Sequence, residues 1–107
     1  MPTYGRRSRF ESEYLRLKEP ERKLFLAARN EFIKALLRWE AQGCRPSPPT
    51  FPDALQVQDV KGHTGIWELT WEKKNGHCTW EFGNQVLPGK AHIVWRRIGG
   101  HEIFREP

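Results

Sequence analysis

A helix-period half followed by a strand-period half specifies an α+β domain, with an N-terminal helical hairpin packed on one face of a four-stranded, mainly antiparallel sheet. Three observations carry this. Apolar residues recur every three or four positions up to Trp39, a proline-rich stretch follows, and from Ala54 onward the apolar residues alternate. Asn75-Gly76 adds a strong short hairpin signal between two alternating runs. The chain of 107 residues suits one domain, divided into a basic helical hairpin over 8–42, a connector over 43–53 and the sheet over 54–104.

Each element has its own signature. Residues 1–7, with Pro2 and Gly5, suit either a short edge strand or an unstructured arm. Ser8-Arg9-Phe10-Glu11 has capping-box form, and Phe10, Tyr14 and Leu17 follow at helical spacing. Pro20 restarts the chain in a first helical turn, where its missing N–H is no loss. Leu24, Phe25, Ala28, Phe32, Ala35, Leu36 and Trp39 then form the apolar stripe of a long helix that stops at Gly43. Pro46, Pro48, Pro49 and Pro52 make Cys44–Asp53 an extended, rigid connector. Strands are predicted over Ala54–Val60, Gly65–Trp71, His77–Phe82 and Ala91–Ile98, with a turn-rich loop over Gly83–Gly89.

Composition narrows the function classes. Five Trp and six Phe provide large buried surfaces, and no apolar run approaches a membrane span or a signal segment. A soluble, cytoplasmic protein is expected, with Cys44 and Cys78 as thiols in a reducing compartment. Residues 1–38 hold ten Arg and Lys against five Glu, an excess equal to the whole formal charge of +5. A basic helical surface attracts polyanions through counterion release, and it equally suits an acidic protein partner.

The last seventeen residues hold the chemistry. Two arginines (Arg96, Arg97), a Gly99-Gly100 turn, His101 and Phe104 arrive together within nine residues. Cleavage of RNA by its own 2′-hydroxyl needs one proton withdrawn, another delivered to the leaving oxygen, and the phosphoryl charge stabilised. Imidazole suits the proton work and guanidinium the charge work, while a flat ring holds an unstacked base. Alternation along the strand places Arg96 and Arg97 on opposite faces, with Arg97 sharing parity with Ile93 and Trp95. Lys61-Gly62-His63 offers a second cation and imidazole, and His77 and His92 read as ordinary strand residues. His63, His77, Cys78, His92 and His101 lack the clustered spacing of a zinc site, so no metal and no other cofactor is expected.

With these residues set out, the chain resembles the RelE/ParE superfamily of bacterial toxins over about residues 8–104. Val60-Lys61-Gly62-His63-Thr64-Gly65-Ile66-Trp67-Glu68-Leu69 is similar to the family's Lys/Arg-Gly segment leading into an aromatic-containing strand. Arg97-Ile98-Gly99-Gly100-His101-Glu102-Ile103-Phe104 resembles the family's ending, most closely in the YafQ and RelE branches. The resemblance implies a single RelE-like toxin domain, a type II toxin–antitoxin role and an endoribonuclease cutting messenger RNA on the ribosome. It implies a cognate antitoxin that covers the site. On that carry-over His101 transfers protons, Arg97 stabilises phosphate and Phe104 positions the base, with Lys61, His63 and Arg96 on the RNA phosphates. The ending departs in two respects. Two residues separate His101 from Phe104 where the YafQ-like ending has three, and Phe104 cannot transfer a proton as a tyrosine can. A ParE-like toxin acting on DNA gyrase and a non-catalytic binding module are the alternatives; the gyrase branch lacks the histidine.

Overall fold

The computed structural model describes residues 2–107, so the first residue of the predicted N-terminal arm lies outside the described residues. The α+β class is borne out, with two helices on one face of a sheet that has five strands rather than four. The strands are β1 (Thr3–Arg6), β2 (Gln58–Asp59), β3 (Trp67–Glu72), β4 (Gly76–Phe82) and β5 (His92–Gly99), in the order β1-β5-β4-β3-β2. The added strand is the N-terminal arm, which pairs parallel to β5 from Thr3↔His92 to Arg6↔Trp95, so the sheet is mixed. Its other three pairings are antiparallel.

Helices α1 (Ser8–Arg16) and α2 (Glu19–Ala41) form the hairpin. Ser8 lies inside the first turn with Arg7 at the N-cap and no side-chain cap, so the predicted Ser8/Glu11 capping box does not form. A reciprocal carboxylate instead appears one helix later, where Glu21 accepts the Lys18 N–H at 2.8 Å. Phe25, Phe32, Ala35 and Leu36 face the sheet and are buried. Phe32 sits edge-on to Trp80 at 4.9 Å, and Phe25 edge-on to Trp95 at 5.7 Å. The proline-rich connector contributes more than reach, because Phe51 stacks on Phe32 at 4.9 Å and closes the core from below α2. The predicted strand over Ala54–Val60 shrinks to a 3₁₀ turn at Asp53–Leu55 followed by the two residues of β2; left-handed Gln56 breaks the run. Both cysteines are free, and burial pushes the Cys78 thiol up. Among the described residues no helix is long and apolar enough to cross a membrane.

The β3–β4 hairpin forms where Asn75-Gly76 predicts it, by a different physical route. Gly76 opens β4 with a negative φ, and its lack of a side chain, rather than left-handed freedom, is what the turn uses. A Cβ there would lie 2.5 Å from Glu72 Cβ and 2.8 Å from the Trp71 ring. The Glu72 carboxylate closes the turn by accepting the Lys74 and Asn75 N–H groups at 2.9 and 3.0 Å, which holds its pKa below the usual carboxylate range. Gly76→Ala is expected to destabilise the fold by about 1–3 kcal/mol through this overpacking, read as a lower midpoint in urea denaturation.

Candidate active site

Along β5 one extra residue decides where the arginines point. Trp95 pairs with Trp80 and Arg97 with the next β4 residue, Thr79, so Arg96 is an insertion between them. Trp95 and Trp80 face the helices, whereas Thr79 and Arg97 share the opposite face. Arg96 also turns to that face, where it donates to Glu81 at 3.0 Å and to the oxygen of Pro107 from two nitrogens at 3.3 and 3.1 Å. The predicted split of Arg96 and Arg97 across the sheet is therefore overturned, because the bulge resets the alternation. Both arginines lie on the face away from α2.

Arg97 is 9 % exposed and already engaged. Its Nε and Nη2 fork the Glu13 carboxylate at 3.2 and 2.6 Å, and Nη1 donates to the Glu106 carbonyl at 3.2 Å. Glu13 belongs to α1, which runs beside β5 beyond the point where β1 ends, and it also accepts the Ile98 N–H of that edge at 3.4 Å. The carboxylate thus stands in for a missing neighbouring strand and anchors the guanidinium at once. This pairing raises the Arg97 pKa against the opposing cost of its burial.

His101 heads a 3₁₀ helix, His101–Arg105, that folds back over the same face against β4 and β5. Ile103, fully buried, pins that helix. The Asn75 side chain accepts the His101 N–H at 2.9 Å, tying the catalytic candidate to the hairpin turn. Gly99-Gly100 is not a left-handed turn. A Cβ on Gly100 would lie 2.4 Å from the Asn75 amide and 2.6 Å from the Glu102 carboxylate, so glycine supplies room for both to close. Glu102 accepts the Gly100 N–H at 3.0 Å, and backbone N–H groups, its own among them, hold its pKa below the usual range.

The residue that sequence reading missed is His77. Its ring lies 4.4 Å from that of His101 and 5.2 Å from Phe104, with His101 and Phe104 6.1 Å apart, so the three rings form one cluster. His77 alternates with core-facing Cys78, and its diagonal neighbour across β4–β5 is Arg97, a spacing of about 7–8 Å between backbones. The Thr70 hydroxyl lies 3.3 Å from His77 Nδ1 and 3.5 Å from the Gln56 carbonyl, to which it donates. In that arrangement Nδ1–H donates to Thr70, and Nε2, buried and without a hydrogen-bond partner among the described residues, carries the lone pair. Burial, and next the His101 imidazole, push the His77 pKa down, so this ring is held neutral. Periodicity hides such a residue, because a histidine in a strand shows nothing of what a distant segment lays on it.

Lys61 and His63 are exposed in the β2–β3 connection, beyond the Trp67 end of β3. His101 is tied to Asn75, past the Glu72 end of the same strand. At about 3.3 Å per residue the two ends of β3 stand roughly 16 Å apart, so Lys61 and His63 do not join the histidine cluster. Among the described residues no three metal-ligating side chains come together.

Comparison with solved structures decides the fold. YafQ from E. coli strain BL21(DE3) superposes with a TM-score of 0.56 over 95% of this chain and 96% of its own, at 10% identity. The E. coli DinJ–YafQ complex gives 0.52 at 12% identity over 95% and 96%, and the isolated E. coli RelE toxin 0.50 at 12% over 99% and 94%. This chain has the RelE/YafQ toxin fold. No protein-family model matches its sequence, and no curated protein matches it. The RelE/YafQ-like fold is therefore carried here by a sequence that shares only 10–12% of its residues with these chains.

Two outcomes test this site. Removing Glu13 leaves the Arg97 charge largely buried without its carboxylate, so Glu13→Ala is expected to cost about 2–3 kcal/mol in chemical denaturation. The depressed His77 pKa makes the unfolded chain bind the extra proton below about pH 6.5, so stability falls as pH drops from there to the folded-state pKa. Denaturation midpoints of His77→Gln measured against pH should lose that part of the slope. The lowered pKa values of Glu72 and Glu102 act separately, adding stability that is lost in the acidic carboxylate range.

Proposed function

We propose that this chain is the toxin of a type II toxin–antitoxin pair and an endoribonuclease that cuts messenger RNA on the ribosome. The observation that carries the proposal is the pair of imidazoles 4.4 Å apart, one exposed and one buried and held neutral, with an aromatic ring against both. RNA cleavage through the 2′-hydroxyl requires a base and an acid at one phosphodiester, and groups whose environments differ this strongly take different proton roles. His101, at the surface, takes the 2′-hydroxyl proton as a neutral imidazole and, as the imidazolium, gives a proton to the leaving 5′-oxygen. His77 beneath it keeps the pair from being doubly charged. Phe104 holds the base next to the scissile phosphate. Arg97 lies on the same face, and its charge, held in place by Glu13, acts on the phosphoryl oxygens across the diagonal of β4 and β5. Lys61 and His63, one strand length away, contact phosphates further along the RNA.

The partner reading follows from the same fold. The solved DinJ–YafQ complex is an assembly of YafQ with a second protein, and a basic surface such as this helical hairpin suits an acidic partner, the cognate antitoxin. The gyrase-directed reading has no observation here that favours it over the histidine pair.

Induced without an antitoxin, the chain is expected to arrest growth and leave new RNA ends mapped within translated messages. His101→Ala should reduce cleavage by about 10²–10⁴-fold and abolish the arrest. Arrest that persists in that variant with messages intact and DNA topology failing would transfer the assignment to gyrase inhibition.

A further inference from the structure

Next to the histidine cluster, on the same side of the sheet, lies a second concentration of charge that sequence motifs do not mark. A cleft of about 370 Å³ is lined by Arg7, Ser8, Arg9, Arg96, Arg97, Glu106 and Pro107. Its four guanidiniums come from two segments far apart in the chain, namely the β1–α1 junction and the β5 bulge. What they hold is Glu106 and Pro107, which follow the 3₁₀ helix. Arg96 forks the Pro107 oxygen, Arg97 Nη1 donates to the Glu106 carbonyl, and Arg9 meets the Glu106 carboxylate at 3.1 Å. Arg7 shares Glu81 with Arg96, at 3.2 and 3.0 Å.

We infer that this cleft is a binding site for successive phosphodiester groups of single-stranded RNA, and that Glu106 and Pro107 occupy it as an internal substitute when no RNA is bound. The inference rests on the nuclease reading for its ligand and extends it by assigning Arg7 and Arg9 to binding and the last residues to gating.

The chemistry favours exchange. The Glu106 carbonyl on Arg97 is uncharged, and a phosphodiester gives that guanidinium an anionic, two-oxygen acceptor that forms shorter and stronger bonds. The ion pair of Arg9 with Glu106 is between exposed side chains at 54% and 76% and contributes little. Release of the tail need not disturb His101 or Phe104, because fully buried Ile103 holds the 3₁₀ helix upstream of it. Arg97 keeps Glu13 throughout, so the site loses only tail contacts when RNA enters.

The test uses the full chain and a fluorescent single-stranded 2′-deoxyoligonucleotide, which lacks the attacking hydroxyl, with binding followed by anisotropy over a salt series. Arg7→Gln with Arg9→Gln should weaken binding about tenfold and reduce the slope of log affinity against log salt by about 1.4, two contacts at about 0.7 each. Glu106→Gln, which frees Arg9 and removes a repelling carboxylate, should tighten binding about threefold at low salt. Lys23→Gln with Lys34→Gln, removing equal charge from α2, should change binding far less. An equal loss in the α2 pair, an unchanged slope in the arginine pair, or weaker or unchanged binding in Glu106→Gln would each overturn the inference. Its fate separates from that of the nuclease: RNA cleaved normally by the arginine variant sinks the cleft alone, and binding that behaves as expected with no RNA cleaved by the unmodified chain sinks only the nuclease.

Discussion

The forked contact between Arg97 and Glu13 is the interaction on which the rest of the functional face depends. It joins the strand that carries the arginines to the helix that flanks it, at the place where β5 has lost its neighbour β1. A strand edge left open there would expose unpaired backbone groups, and the carboxylate answers both needs by taking the Ile98 N–H and the guanidinium together. A charge pair this enclosed adds little net stability compared with apolar packing, yet it fixes geometry well. Here it holds the bulge, and the bulge decides that two successive arginines share one face.

The histidine cluster is a product of chain return. The sheet presents His77 on the face away from the helices, the side on which Thr70, Thr79 and Arg97 also fall, and the 3₁₀ helix then lays His101 and Phe104 over it. Three devices hold that return in place: the buried Ile103, the Asn75 bond to the backbone of His101, and the space left by Gly100. Burial of one imidazole and exposure of the other then produces the difference in proton affinity that makes a pair of like groups useful.

Arginine chemistry and histidine chemistry are thus adjacent and separately supported. The basic cleft is built on the β1–α1 junction, the β5 bulge and residues 106–107, the histidine cluster on the hairpin and the 3₁₀ helix, and Arg97 lines the cleft while lying diagonal to His77 in the sheet. A sequence sharing only 10–12% of its residues with YafQ and RelE has their fold. Backbone topology depends on periodicity and a handful of aromatic contacts, which many sequences satisfy. Side-chain pairings such as Arg97 with Glu13 depend on particular residues at particular registers.

The sequence alone determined the layered architecture, the two helices with their apolar stripes and the hairpin at Asn75-Gly76, since each is a local pattern whose cause lies within a few residues. It also singled out His101 and Phe104, which the structure does bring together. Tertiary structure alone decided that the N-terminal arm is a parallel strand, that Arg96 and Arg97 share a face, that Lys61 and His63 stand a strand length away, and that His77 joins His101. The physical reason is common to all four: each depends on register or on contact between segments far apart in the chain. A single inserted residue in β5 reverses the alternation on which sequence parity relies.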